Sequence, residues 1–398
     1  MNRRQLYDKV LGMLLGSAIG DAMGAPTEMW TRQEIRTEYG YVDRLDTMVR
    51  EPSPEGTWDY NLPAGGTTDD TRWKKFMVGF LLGQKKGLTR GGLDAREFAD
   101  YFVGQYTNEI RQLKATDGFE PGPYEAGIRR MAWLQEWALV AKPYAAGDLQ
   151  AYHDALNRFY GGEMTCAGML YAPVVGAFFP ADPARAYRET FRLSLFDIGY
   201  ARDISGLTAA MVSAAMAGNA TPESVLNVVR DVDPHGFFRS RLVGRSAYRV
   251  LKQARAIVLE ANQLQKGDVN PAKITFPKRG RADTLYLARA QRAYELLDAR
   301  NQDLPFHAAE IHLVNLTALL LGGFDFEKTM AFIINYGRDN DTTGAVTGAI
   351  LGAYWGANRL PKPMVAQVIK ANRALFGTEL EALAEQMTEK IMARHPRE

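Results

Sequence analysis

The chain has 398 residues, 46% apolar and 24% charged, with 37 Gly and 18 Pro, which excludes disorder and collagen-like repeats and leaves ample material for a buried core. Its 48 Lys and Arg against 46 Asp and Glu leave a formal charge of +2, so no bulk field draws nucleic acid or anionic lipid, and no basic block carries interleaved aromatics. The single cysteine, Cys166, cannot form an intramolecular disulfide; a chain this long without bridges suits a reducing compartment and reads as cytoplasmic.

The first segment has the outline of a secretion signal, with Arg3, Arg4 and Lys9 ahead of the uncharged run 10–20. Asp8 among the basic residues, glycines within the run and Asp21 directly after it argue against that reading. The run is also far shorter than the roughly 20 residues a bilayer requires. Leu6, Val10, Met13 and Leu14 instead keep the three-and-four spacing of a helix. Gly12, Gly16, Gly20 and Gly24 lay a bare stripe along one face of it. Each interior glycine costs about 1 kcal/mol relative to alanine, so the stripe predicts close approach of another backbone. Pro26 ends this helix and places Glu28 on the loop beyond, where an exposed carboxylate can reach a substrate. A solvated loop acid is the plain alternative. Asp21, near the same exit, is a second candidate for substrate contact.

Two long irregular stretches come next, 51–67 with Pro52, Pro54, Pro63 and Gly65-Gly66, and 114–124 with Gly118, Pro121, Gly122 and Pro123. Long loops in compact domains are often functional, and Gly122 is assigned to the substrate site. Gly66-Thr67-Thr68-Asp69-Asp70-Thr71 joins the first of them to an apolar helical run through Trp73, Phe76, Met77, Phe80 and Leu81.

Farther on, the uncharged stretches 204–222 and 342–358, rich in Ala, Gly, Ser and Thr, predict buried helices. Helical spacing recurs at Leu207, Met211, Ala214 and Ala215, at Leu287, Ala290, Tyr294 and Leu297, and at Met364, Val368, Ala371 and Leu375. Pro180, Pro183, Pro222 and Pro271 mark starts or connections. Alternating strand patterns are scarce. The expectation is an all-α fold, a single compact multi-helix orthogonal bundle over residues 1–398.

Asp339-Asn340-Asp341-Thr342-Thr343-Gly344 repeats the logic of the first acidic junction ahead of a second glycine series, Gly344, Gly348, Gly352 and Gly356. Either junction alone is accounted for by capping, since Thr and Asp are favoured N-caps and first-turn acids complement the helix dipole. Capping needs one such residue, however. Each junction offers a pair of carboxylates, a mutually repelling set unless a cation or several donors neutralise it. If the junctions meet, Asp69, Asp70, Asp339 and Asp341 with neighbouring Thr hydroxyls form a hard-oxygen set suited to Mg²⁺, Mn²⁺ or Ca²⁺. Two ions sharing a carboxylate fit that charge better than one, and a pair about 3.5 to 4 Å apart is a recurring hydrolytic device. The five histidines show no metal-ligand spacing.

The sequence resembles the ADP-ribosylglycohydrolase family through three motifs in order. They are Gly16-x-x-x-Gly20-Asp21-Ala22-x-Gly24-x-Pro26-x-Glu28, Thr68-Asp69-Asp70-Thr71, and Gly337-Arg338-Asp339-Asn340-Asp341-Thr342-x-Gly344-Ala345. Ala64-Gly65-Gly66, Glu310, Gly352-Ala353 and Pro361 extend the likeness over most of the chain. The resemblance implies an all-α fold with a two-ion magnesium or manganese centre, in which Thr68, Asp69, Asp70, Asp339, Asp341 and Thr342 match the ligands. It implies Glu28, Asp70 and Asp341 as catalytic carboxylates, and cleavage of an N- or O-glycosidic bond at a ribose by a polarised water.

Departures bear on the substrate. Where many members carry an Asn-Gly-x-x-Met-Arg-x-x-Pro segment at the ADP-ribose site, this chain has Thr165-Cys166-Ala167-Gly168-Met169-Leu170-Tyr171-Ala172-Pro173. The Asn-Gly pair and the arginine are missing, and a Thr-His pair found in many members becomes Thr208-Ala209. Arginine is a natural diphosphate partner, so its absence opens the site to smaller ribosyl or nucleoside-like compounds. Thr165, Cys166, Met169 and Tyr200 are expected to line the substrate site. Asp197 and Asp203 either join them or pair on a helix surface. The expected function is a metal-dependent glycohydrolase acting on ADP-ribosylated protein or a ribosylated small molecule, without nucleic acid or membrane partners. A silent ADP-ribose- or nucleotide-binding module and a two-metal phosphoesterase are the alternatives.

Overall fold

The computed structural model describes residues 1–48, 62–84, 92–115, 121–278 and 283–394, with the backbone alone at 113 and 121–133. The described chain is helix after helix, without a strand. The first nine are α1 (Arg3–Gly24), α2 (Arg32–Glu38), α3 (Asp69–Gly83), α4 (Ala95–Ala115), α5 (Pro121–Ala146), α6 (Leu149–Leu156), α7 (Ala167–Phe178), α8 (Pro183–Leu193) and α9 (Ala201–Ala215). The others are α10 (Pro222–Asp231), α11 (Ser246–Ala261), α12 (Thr284–Asp298), α13 (Ala308–Gly322), α14 (Phe326–Tyr336), α15 (Asn340–Trp355), α16 (Lys362–Phe376) and α17 (Leu380–Arg394). No helix among the described residues is long and apolar enough to cross a membrane.

Local chemistry sets many of these boundaries. Asn2 and Gln5 close a reciprocal capping box on α1, at 2.9 and 3.0 Å, and Thr31 with Glu34 does the same for α2. Pro183 and Pro222 open α8 and α10, where a missing N–H costs nothing. Of the stretch 114–124, expected to be irregular, the described residues are helical: α4 runs through Ala115 and α5 begins at Pro121, while 116–120 lie outside the described residues. Proline is compatible with a first helical turn, and here that chemistry, not loop formation, decides the element. Of the other expected loop, 51–67, residues 51–61 lie outside the described residues. The periodic apolar positions are buried as expected except Leu375, which is 42% exposed near the end of α16.

The centre of the molecule is the antiparallel pair α1 and α15. A Cβ on Gly12 would stand 2.3 Å from the Gly352 carbonyl oxygen, one on Gly16 2.2 Å from that of Gly348, and one on Gly20 2.0 Å from that of Gly344. Three glycines of each series therefore face each other in pairs. Gly356 is the C-cap of α15 at φ +82, not an interior position, and its glycine is favoured for that conformation. The same register sets Gly24 against the Asp341 backbone, so the end of α1 lies on the start of α15. Behind α3, Trp73 packs against Trp137 at 4.3 Å and Phe102 at 5.7 Å between ring centroids. That aromatic core fixes α3 three residues beyond its acidic start.

Candidate metal centre

Three chain segments remote in sequence converge where α1 ends. Thr68, the N-cap of α3, donates its hydroxyl to Asp341 Oδ2 at 3.2 Å, and Thr342 donates to Asp70 Oδ2 at 3.0 Å. The two acidic helix starts thus bond to each other through their threonines. Glu28, Asp339 and Asp341, all buried, bring carboxylate oxygens within 4.8 Å of one another. Asp69, half-buried, lines the same cleft.

Neutralisation is uneven across this cluster. Lys74, one turn into α3, places its ammonium 2.8 Å from Asp70 Oδ1, with both side chains almost wholly buried. Asp70 thereby turns one oxygen to Lys74 and the other to Thr342. No Arg or Lys is among the described lining of the cleft. Burial, with Asp341, Glu28 and Asp70 close by, pushes the Asp339 carboxyl well above the ordinary carboxylate range. Burial and the neighbouring Asp70 and Asp341 do the same to Asp69. A hard cation would remove that penalty, and oxygen donors from carboxylates and hydroxyls are the chemistry such a cation takes.

Glu28 owes its place to a tight turn. Pro26 leads a 3-10 turn over Ala25–Thr27, and Glu28 follows it, 7% exposed and directed into the cleft instead of standing exposed on a loop. Met29 at φ 64 and Arg338 at φ 63 both adopt left-handed backbone. They are bound together: Met29 N donates to Arg338 O at 2.7 Å, and Arg338 N donates to Trp30 O at 2.9 Å. Non-glycine residues hold such conformations only where surrounding bonds determine them. The clasp ties Glu28 to Asp339, the residues immediately before Met29 and after Arg338. Gly337 is required beside it, since a Cβ there would meet the Trp30 carbonyl oxygen at 2.3 Å. Arg338 is further held by Glu310 at 2.7 and 2.9 Å.

The residues expected to touch substrate divide. Thr165 and Cys166 line the cleft, as does Leu170 where arginine was missing. Asp21 does not: it is fully buried and accepts from Thr68 N and Thr71 N, both at 2.9 Å, and from the Thr71 hydroxyl at 2.5 Å. It organises the start of α3 from the end of α1. Burial, then Asp70 and Asp341, push its carboxyl up to about 7. Met169 is fully buried and Tyr200 is the N-cap of α9; neither is among the cleft-lining residues. Gly122 falls in the first turn of α5, where only the backbone is described. Asp197 accepts from Gly168 N and the Ser205 hydroxyl, both at 2.7 Å. Asp203 is paired with Arg245 at 2.6 and 2.9 Å. Both are buried, and neither is among the cleft-lining residues. Sequence reading missed Lys74, although its four-residue spacing from Asp70 is a helix-pair signal. It also missed Trp137, Tyr160 and Phe306, which line the same cleft as the acids and come from separate segments, with Tyr160 packed on Phe306 at 5.5 Å between ring centroids.

Comparison with known proteins places this geometry in context. The family model for ADP-ribosylglycohydrolase matches residues 2–397. The uncharacterized protein YegU of Escherichia coli (strain K12) is 21% identical over 95% of this chain and 96% of its own length. The ADP-ribosyl-[dinitrogen reductase] glycohydrolase of Rhodospirillum rubrum is 30% identical over 37% of this chain and 42% of its own. A solved structure described as an ADP-ribosylglycohydrolase-related protein complex aligns at a TM-score of 0.57 and 20% identity. That alignment covers 98% of this chain and 100% of the other.

Proposed function

The chain belongs to the ADP-ribosylglycohydrolase family, and from that premise we propose that it is a divalent-metal-dependent glycohydrolase that cleaves a ribosyl bond with water. One observation carries this reading: the two acidic helix starts meet, with Thr68 on Asp341 and Thr342 on Asp70. Asp69, Asp339 and Asp341, with Thr68 and Thr342, are the proposed ligand set for Mg²⁺ or Mn²⁺, one ion or two. Asp70 joins it by exchanging its contact with Lys74 or Thr342, and otherwise positions Thr342. A bound ion supplies Lewis-acid polarisation of a water and a frame for vicinal sugar hydroxyls.

The protein's own groups do the remainder. Glu28, carried on the turn beside the clasp, takes the proton of the attacking water. The surrounding carboxylates stabilise positive charge developing on the ribose ring. Trp137, Tyr160 and Phe306 offer apolar faces to the substrate and exclude bulk water. Leu170 at the place of the missing arginine, and a described lining without cationic side chains, support ribosyl compounds lacking a diphosphate alongside ADP-ribosyl protein.

Incubating the purified chain with Mg²⁺, an ADP-ribosylated peptide and a panel of N-ribosyl compounds tests the proposal. Release of ADP-ribose or ribose is expected. Tight binding without turnover would identify a silent binding module, and inorganic phosphate a phosphoesterase. Asp341→Ala is expected to abolish both divalent-ion binding and turnover; turnover that persists in chelator would overturn the metal dependence.

A further inference from the structure

A second cavity, of about 210 Å³ against about 60 Å³ for the acidic cleft, lies between α2, the turn at Tyr41, the segment 273–275 and α12. Its described lining includes Arg32, Arg36 and Lys273 and no carboxylate, whereas the cleft is lined by Glu28, Asp69, Asp339 and Asp341. Two hollows of opposite charge thus stand at either end of the segment 28–36.

The cationic hollow has a fixed wall and an uncommitted rim. Arg32 is committed: it bonds both oxygens of Asp298, at 2.7 and 2.5 Å, and lies over Tyr294 and Tyr336, 5.4 and 5.7 Å from the ring centroids. Arg36 and Lys273, both exposed, form no ion pair or side-chain hydrogen bond with the described residues. Tyr294, beneath Arg32, donates its hydroxyl to Phe332 O at 2.8 Å and belongs to the fixed wall; half-buried Tyr286 donates to Lys328 O at 3.3 Å and lines the cavity. The hydroxyl of half-buried Tyr41 has no partner among the described residues. Burial, then Asp43, push it up to about 12, so it remains a donor at neutral pH.

We propose that this cavity is a second ligand site, distinct from the metal cleft, which takes a small aromatic phosphate ester. Two uncommitted cations call for a dianion, and a phosphate monoester carries nearly two charges at pH 7, against one for a carboxylate. Half-buried Tyr41 and Tyr286 take the planar ring, and the Tyr41 hydroxyl donates to the ester or the ring's polar edge.

Calorimetric titration of the full chain with adenosine 5′-monophosphate, adenosine and inorganic phosphate, in chelator, tests this. The monophosphate is expected to bind at one site per chain, about tenfold or more tighter than adenosine or phosphate alone. Arg36→Glu with Lys273→Glu, both on the surface, should weaken it by about tenfold or more, and rising salt should weaken it further. Tyr41→Phe, which keeps the ring, should weaken it by a smaller factor. Asp341→Ala should leave it unchanged, with thermal unfolding confirming that each variant is folded. Absence of binding at millimolar ligand, equal affinity for adenosine or phosphate, indifference to the charge reversals, or loss with Asp341→Ala would each overturn the proposal.

Discussion

Lys74 is buried as deeply as the carboxylate it faces, and the two are bound at 2.8 Å across one helical turn. Surface pairs of this spacing contribute a few tenths of a kcal/mol, but a buried charge deprived of its partner costs about 3–5 kcal/mol. Lys74→Met is therefore expected to lower stability in chelator by about that amount. Added Mg²⁺ should restore part of it, because the ion replaces the lost positive charge beside Asp70. Urea unfolding with and without Mg²⁺ measures both; a loss under about 1 kcal/mol would mean that Lys74 does not supply the charge that balances the buried cluster. Spacing alone displays the Asp70–Lys74 pair, yet nothing local in the sequence says that it is buried. The same limit explains Asp21. Its neighbours place it at a helix exit near a functional motif, while the donors that consume its carboxylate, at Thr68 and Thr71, come from a segment whose approach only the fold decides.

At the scale of elements, the glycine series is the most legible feature of the sequence, and it carries the site. Its spacing announces a backbone approaching another backbone; what it leaves open is which one. Because both series share one period, they lock α1 to α15 in the register that continues to Gly24 and Asp341. Gly16→Ala weighs two opposed effects. Alanine gains about 1 kcal/mol of helix propensity, whereas its Cβ would stand 2.2 Å from the Gly348 carbonyl oxygen, a backbone atom within a buried helix. Overpacking of this kind costs about 1–3 kcal/mol or more, so a net loss is expected in denaturant titration. The helices must separate to admit the methyl group, so divalent-ion affinity should weaken as well, although Gly16 lies more than a helical turn from any carboxylate of the cluster. A stabilised variant with unchanged ion affinity would show that the close approach does not set the site. The clasp between Met29 and Arg338 marks the opposite case: neither residue type favours positive φ, and only the paired backbone bonds and Gly337 make the conformation tenable.

Across the whole molecule, a nearly neutral chain gathers Asp21, Glu28, Asp70, Asp339 and Asp341 around one buried point, and that cluster sets its response to pH and metal. Asp21 is pushed up to about 7, and Asp69 and Asp339 well above the carboxylate range, with burial first and neighbouring carboxylates second as the cause. For an acid raised on folding, the folded state holds its proton more tightly than the unfolded chain. Its contribution is fully present below the ordinary carboxylate pKa near 4 and is lost as pH rises through the folded value. The metal-free protein should therefore lose stability from about pH 4 to about pH 7, as the unfolded chain ionises and the folded cluster resists. A bound divalent ion reverses the sign, because it favours the ionised carboxylates and must displace their protons. Stabilisation by Mg²⁺, about 2.7 kcal/mol when the ion is at one hundred times its dissociation constant, should accordingly grow from pH 5 to pH 8 at fixed total metal. Thermal unfolding across that range, with Mg²⁺ and with chelator, gives two curves expected to diverge with rising pH. Curves that stay parallel would mean that metal binding releases no protons, and the buried carboxylates would then not be the groups that hold the ion.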